Sequence, residues 1–307
     1  MKRFFANIFK FGVVAFVFYI VGLFIFSRFL PSKRRPNLII ELGHNNIRLQ
    51  EVKKYNNLDI LFLGSSHAYR GFDTRIFINK GYQVFNLGSS AQTPLQTEVL
   101  LERYLKTTSP QFVVFEVSPM LFSNEGVESS IDLINNDLND FSSLKLVLEQ
   151  RNIKVLNTFL YRSIHDLLFN KTTLDTKSLS LGKQNHYHKG GYMSKDLSFY
   201  SYETFKRETL QFREAQLKAF DRILKKLNKS EINYVLVQAP ITKAKYNSIL
   251  NNDYFDSLMQ TKGSYYNFNK IVKLDDSLHF YDAHHLNQNG VDIFNKKFMD
   301  LVLKNKE

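Results

Sequence analysis

Apolar and polar positions fall into two regimes along the chain. Residues 11–27, FGVVAFVFYIVGLFIFS, carry no charge and lie between Lys10 and Arg28. An α-helix needs roughly 17–25 such residues to cross the hydrocarbon of a bilayer. The segment therefore predicts one N-terminal transmembrane helix within residues 1–30, serving as a membrane anchor. The competing reading is a cleavable signal peptide, whose apolar region would span about 7–15 residues and end at a small-residue site; Phe26-Ser27-Arg28-Phe29 offers none. Residues 31–57, with Pro31, Pro36 and a polar run ending in Lys53-Lys54-Tyr55-Asn56-Asn57, read as a linker.

From residue 58 the pattern changes to short, nearly continuous apolar runs. Leu58–Leu63, Tyr82–Asn86, Phe112–Val117, Ile232–Gln238 and Leu278–Tyr281 have the length and composition of strands covered on both faces. Helical spacing marks Leu95–Lys106, Glu203–Lys229 and Asn287–Lys304, the last with Val291, Phe294, Phe298, Leu301 and Val302 on one face. Alternating strands and helices predict a parallel α/β sandwich over residues 58–307. About 115 residues separate Val117 from Ile232, too many for a loop, so an insertion is expected at about 120–230. Its first part, Ser123–Phe141, carries Glu125, Glu128, Asp132, Asp137 and Asp140 and reads as a mobile surface segment or lid with a solvated acidic face. Asn185–Tyr192 reads as an aromatic, glycine-rich loop able to line a cleft.

Composition and charge narrow the chemistry. The 44% hydrophobic content, with 28 Phe, supports a sizeable core, and the absence of Cys excludes a thiol nucleophile, a disulfide and a Cys-ligated metal. The net charge of +12 invites a nucleic-acid partner, but seven of the 41 basic residues sit in the first forty positions without one acidic residue. The remainder holds 34 basic against 29 acidic residues and no recognition motif, so no nucleic-acid partner is expected. Basic residues flank the apolar segment on both sides, so the positive-inside bias does not orient it.

Ligand chemistry in an open parallel sheet sits at the carboxyl ends of the strands. Those ends carry Gly64-Ser65-Ser66-His67, Asn86-Leu87-Gly88-Ser89-Ser90, Ser118-Pro119, Ala239-Pro240 and Asp282-Ala283-His284-His285. A serine hydroxyl becomes nucleophilic when an imidazole takes its proton and a carboxylate orients the imidazole. Asp282 and His285, three residues apart before the final helix, could both face a serine after the first strand, with His284 the rival base. The bland reading of these motifs is an ordinary strand-to-helix turn and an Asp capping the last helix.

Taken in order, Gly64-Ser65-Ser66-His67, Asn86-Leu87-Gly88 and Asp282-x-x-His285-Leu-Asn-x-x-Gly290 resemble the blocks of the SGNH/GDSL superfamily of serine esterases and acyltransferases over residues 58–307. The resemblance implies a flavodoxin-like three-layer α/β/α sandwich, Ser66 as nucleophile, His285 as base and Asp282 as its orienting carboxylate. It also implies Gly88 as an oxyanion donor; Asn86 and Arg70 complete the expected oxyanion and substrate-binding set, and no metal or other cofactor is expected. The family's third block, Gly-x-Asn-Asp, is replaced by Glu116-Val117-Ser118-Pro119, which leaves no oxyanion asparagine to assign. Arg70 is the candidate substitute, or a contact for an anionic substrate.

In layout the chain is similar to membrane-anchored members that modify envelope polymers, such as D-alanyl transfer and alginate acetylation proteins. That implies a catalytic domain outside the cytoplasm acting on acyl esters of an envelope polysaccharide, with a membrane-bound O-acyltransferase as candidate partner. The alternative is a catalytically weak carbohydrate-binding or assembly subunit. His186 and His188 form a His-x-His read as loop residues rather than metal ligands, and His67 and His279 are expected to hydrogen-bond near the site. Asn170-Lys171-Thr172 and Asn228-Lys229-Ser230 match a glycosylation acceptor pattern that arises often by chance.

Overall fold

The computed structural model describes residues 1–29, 44–169 and 184–304. The first half of the expected linker and the Asn170-Lys171-Thr172 pattern lie outside the described residues. In chain order come α1 (Lys2–Phe29), α2 (His44–Glu51), β1 (Ile60–Leu63), α3 (Ser66–Gly71), α4 (Thr74–Ile78), β2 (Val84–Asn86), α5 (Pro94–Thr108) and β3 (Phe112–Glu116). Then follow α6 (Pro119–Ser123), α7 (Val127–Asn136), α8 (Phe141–Gln150), α9 (Ile153–Phe169), the hairpin β4 (Asn185–His188) and β5 (Tyr192–Lys195), and α10 (Glu214–Lys229). The chain closes with β6 (Asn233–Gln238), α11 (Lys243–Ser248), α12 (Asn252–Gln260), β7 (Tyr265–Asn267), α13 (Phe268–Ile271), α14 (Asp276–His279) and α15 (Gln288–Phe298), continued by a π-helical turn over Met299–Leu303.

Five strands form one parallel sheet in the order β2-β1-β3-β6-β7. Successive strand side chains point to opposite faces, and the core divides accordingly. Leu61, Leu63, Val113, Phe115 and Leu236 pack beneath α5 and α10. Ile60, Phe62, Val114, Val235 and Val237 pack with Phe72, Phe294 and Phe298 on the other side. Both faces are buried, which explains the continuous apolar strands. The result is the three-layer α/β/α sandwich expected from the sequence, and its strand order reverses direction between β1 and β3, where ligands bind in doubly wound sheets.

Several expectations need correction. Leu278–Tyr281 is not a strand: Asp275 accepts from the N–H groups of Ser277 and Leu278 and starts the helical turn α14. The fifth strand is instead β7, only three residues long. The helix expected over Glu203–Lys229 begins at Glu214. Residues 44–54 of the expected linker form α2 and a 3-10 turn, burying Arg48, Leu49 and Val52 against the domain. Ser123–Phe141 is solvated only in part: Glu125, Glu128 and Asp140 stay exposed, while most of the rest packs on the domain. Its α7 buries Ile131, Leu133 and Ile134, Asp132 is bonded to Asn45 and Asn136, and Asp137 is paired with Arg103 and Tyr104.

α1 is long and apolar enough to cross a membrane or to act as a signal sequence. Most of it is exposed, and its later turns meet α9, where the Tyr19 hydroxyl bonds the Asn157 side chain and the Phe24 and Tyr161 rings lie 4.6 Å apart.

Candidate active site

The turn after β1 is built for close approach. Gly64 has φ +135°, and a Cβ there would lie 2.7 Å from the Glu116 Cβ, so only glycine lets β1 turn beside the end of β3. Glu116 is fully buried, and its Oε2 accepts from the Ser65 N–H (3.1 Å) and the Ser65 hydroxyl (2.9 Å). The Ser65 Oγ in turn accepts from the His67 N–H and caps α3. Ser65 is thereby fixed inside, and the next residue, Ser66, is left half-buried at the start of α3 with its hydroxyl facing the sheet edge.

On the far side of the edge, the loop after α14 presents Asp282 and His285. Asp282 Oδ1 accepts from the His284 and His285 N–H groups, both at 2.8 Å, which pins the carboxylate to the loop. His285 Nδ1 lies 2.9 Å from each Asp282 oxygen, and its Nε2 lies 2.8 Å from Ser66 Oγ. A proton on Nδ1, held by the carboxylate, leaves Nε2 free to accept from the serine. Ser66, His285 and Asp282 are thus brought together across 219 positions. The His284 ring lies 6.2 Å from that of His285, and no hydrogen bond joins it to Ser66.

Electrostatics match this division. Burial raises the Asp282 carboxyl, but the bonds from His285 and the two backbone N–H groups outweigh burial and bring it down to about 2. Burial lowers the pKa of His285, and His67 and Arg70 add to that against the opposing pull of Asp282. His284 falls to about 4, first through burial and then through His67 and His285.

The other expected residues are placed differently. Asn86 is fully buried, its amide donating to the Ala68 and Phe72 carbonyls and its Oδ1 accepting from the Gly88 N–H at 3.2 Å. It holds the second loop, with both its donor and its acceptor engaged within the protein. The Gly88 N–H expected in the oxyanion hole is thus engaged, although the close approach is real: a Cβ there would sit 2.9 Å from the Ser65 carbonyl. Arg70 stands beside the site, donating to the Asn185 side chain at 3.1 Å.

Asn185–Tyr192 is a β-hairpin rather than a loop. Its Gly190-Gly191 turn seats on β2, the Gly190 carbonyl accepting from the Asn86 N–H at 2.7 Å. His186 pairs with Asp196 and His188 with Ser194, both at 2.7 Å, and no group of metal-ligating side chains occurs among the described residues. His67 sits 3.5 Å from Glu116, and His279 accepts from the Asp275 N–H. Tyr281 was not anticipated: its ring stacks on His285 at 5.5 Å and 10°. Its place in Tyr281-Asp282, one residue before the carboxylate, was the only available signal.

No family model matches the chain, and no curated protein matches it. Among solved structures it is similar to a candidate acylhydrolase from Bacteroides fragilis, at 12% identity and a TM-score of 0.44, over 84% of this chain and 95% of that one. It is also similar to a GDSL-like lipase from Bacteroides thetaiotaomicron, at 12% identity and a TM-score of 0.40, over 85% of this chain and 94% of that one.

Proposed function

We propose that the chain is a membrane-anchored serine esterase or O-acyltransferase of the SGNH type, acting on acyl esters, acetyl above all, of a cell-envelope polysaccharide or related polymer. The observation that carries the reading is the unbroken line from Ser66 Oγ through the His285 ring to the Asp282 carboxylate, with 2.8 and 2.9 Å links. These are hydrogen-bond distances at which a base can take the serine proton.

In the proposed reaction, Ser66 Oγ attacks the ester carbonyl as its proton moves to His285 Nε2. Asp282 stabilises the imidazolium, and the tetrahedral intermediate collapses when the departing sugar oxygen takes that proton. The acyl group is then bound to Ser66. A water molecule or a second sugar hydroxyl attacks it, gives its proton to His285 and restores Ser66, giving hydrolysis or transfer. The Ser66 and Gly88 N–H groups are the donors we assign to the oxyanion; for Gly88 this means sharing or releasing its bond to Asn86. The mechanism uses no metal or organic cofactor.

We assign residues 1–30 as a single-pass anchor and place the catalytic unit outside the cytoplasm. The unit begins at α2 rather than at residue 58, because Leu49 and Val52 belong to its core. The envelope setting and an O-acyltransferase partner rest on the resemblance in layout. A weakly catalytic assembly subunit is the second reading, favoured by the engaged Gly88 N–H and the missing third-block asparagine. A fluorophosphonate probe separates the two: labelling that disappears in Ser66→Ala supports the enzyme, and absence of labelling in the wild type supports the subunit.

A further inference from the structure

Positive charge is gathered beside Ser66 with no salt bridge to a described carboxylate. Arg48, on α2, has 0% exposure; its Nε and Nη2 donate to the Gly191 carbonyl at 3.2 and 3.0 Å, and its buried Nη1 has no hydrogen-bond partner among the described residues. Arg70 uses Nη2 on Asn185 and likewise keeps a buried Nη1 without a partner. The buried Nε2 of His44 is also without one. All three surround one ring: the Arg48 and Arg70 guanidinium carbons lie 4.6 and 5.3 Å from the centre of Tyr69, and the His44 ring lies 5.1 Å away.

The cluster reaches the reacting groups through Tyr281. That ring stacks on His285 and carries two cations against it, Arg70 at 5.8 Å and the Lys195 Nζ at 4.4 Å. Elsewhere the fold pairs its buried guanidiniums: Arg103 holds Asp137 at 2.8 Å, and Arg162 holds Asp166 at 3.2 Å. Among the described residues no carboxylate lies within salt-bridge distance of Arg48, Arg70 or Lys195. The nearest acids act on these cations only from beyond ion-pair distance, Asp132 on Arg48 and Asp282 on Arg70, while their hydrogen bonds go to Asn45, Asn136 and His285. Charges withdrawn from water are as a rule paired in contact, and here no contacting ion pair forms among the described residues. The crowding also acts on His44, whose pKa falls to about 3 through burial and then through Arg48 and Arg70.

We propose that Arg70, backed by Arg48 and His44 and rimmed by Lys195, is an anion-binding subsite that seats a carboxylate or phosphate of the acylated polymer next to the ester cleaved at Ser66. The substrate is then an acidic polymer, since a neutral glycan would leave these guanidinium donors without an anion in contact. A planar guanidinium with free donors matches either oxyanion. The assignment rests on the ester-cleaving reading of Ser66, and the test keeps the two apart.

The full chain carrying Ser66→Ala, in detergent micelles, is titrated calorimetrically with oligogalacturonate, with a glycerol phosphate oligomer and with neutral dextran. One of the anionic oligomers is expected to bind at least tenfold more tightly than dextran, with affinity falling as salt is added; which one it is tells carboxylate from phosphate. Arg70→Gln should weaken that binding at least tenfold. Lys195→Gln, at the half-buried rim where folding is not at stake, should also weaken it. Equal binding of dextran, no binding of either anion, or binding indifferent to both substitutions overturns the subsite. Fluorophosphonate labelling of the wild type is read in parallel. A labelled protein that fails to bind overturns the subsite alone, and an unlabelled one overturns the ester-cleaving reading on which it rests.

Discussion

Two adjacent serines follow β1, and burial separates their roles. Ser65 is locked between Glu116 and the α3 backbone, while Ser66 faces His285. Ser66→Ala should abolish fluorophosphonate labelling and lower ester hydrolysis by roughly 10³–10⁶-fold. Ser65→Ala removes a helix cap, at a cost of about 0.5–2 kcal/mol read in a denaturant melt, and leaves the nucleophile in place. The proton balance at His285 gives a second prediction. Burial, with His67 and Arg70, disfavours its imidazolium by more than Asp282 favours it, so the ring stays neutral to lower pH than an ordinary histidine. The kcat/KM profile for an uncharged ester should rise with pH along an acid limb whose midpoint lies below 6.5; a midpoint above that value would exclude a base of this kind. The Asp-x-x-His spacing was legible because three residues of one loop set it. Arg48 was not, since its partner Gly191 lies 143 positions away and nothing local to α2 marks it.

At the level of elements, the strands buried on both faces announced themselves, and the failures share one cause. Leu278–Tyr281 has strand composition, but the local cap at Asp275 turns it into α14, while β7 is too short and too polar to stand out. The acidic run misled in the same way, because Arg103, from α5, reaches across 34 and 37 positions to Asp137 and Asp140, and the first of these is taken out of solvent while the second stays exposed. Long-range partners of that sort leave no trace in a window of neighbouring residues. The hairpin turn shows how much one such contact constrains. Gly191 has φ +89°, and a Cβ on it would lie 2.2 Å from the Asn86 carbonyl oxygen. Gly191→Ala should therefore destabilise the protein by about 1–3 kcal/mol or more in a thermal or urea melt. A wild-type melt would mean that the turn does not seat on β2.

For the whole molecule, the balance of buried histidines sets the response to acid. His44 and His284 have values of about 3 and 4 when folded, against 6.5 for an ordinary histidine. The unfolded chain takes up these protons first, whereas the buried Asp132 carboxyl, raised to about 6, is protonated first in the folded state and opposes them between about pH 6 and 4. The contribution of the two histidines to stability is full above about pH 6.5 and declines as pH falls toward 4 and then 3. The melting temperature should drop over that interval, and His284→Gln should shrink the drop. Membrane attachment is tested by fractionation: removal of residues 1–29 should shift the protein from the pellet to the soluble fraction.

The grip of α9 on the last turns of α1, through Asn157 and Tyr161, has a mechanical meaning beyond attachment. Both contacts fall inside the apolar run 11–27, so with α1 across a membrane Tyr19 and Phe24 face either lipid or α9, and insertion of the whole run would release Asn157 and Tyr161.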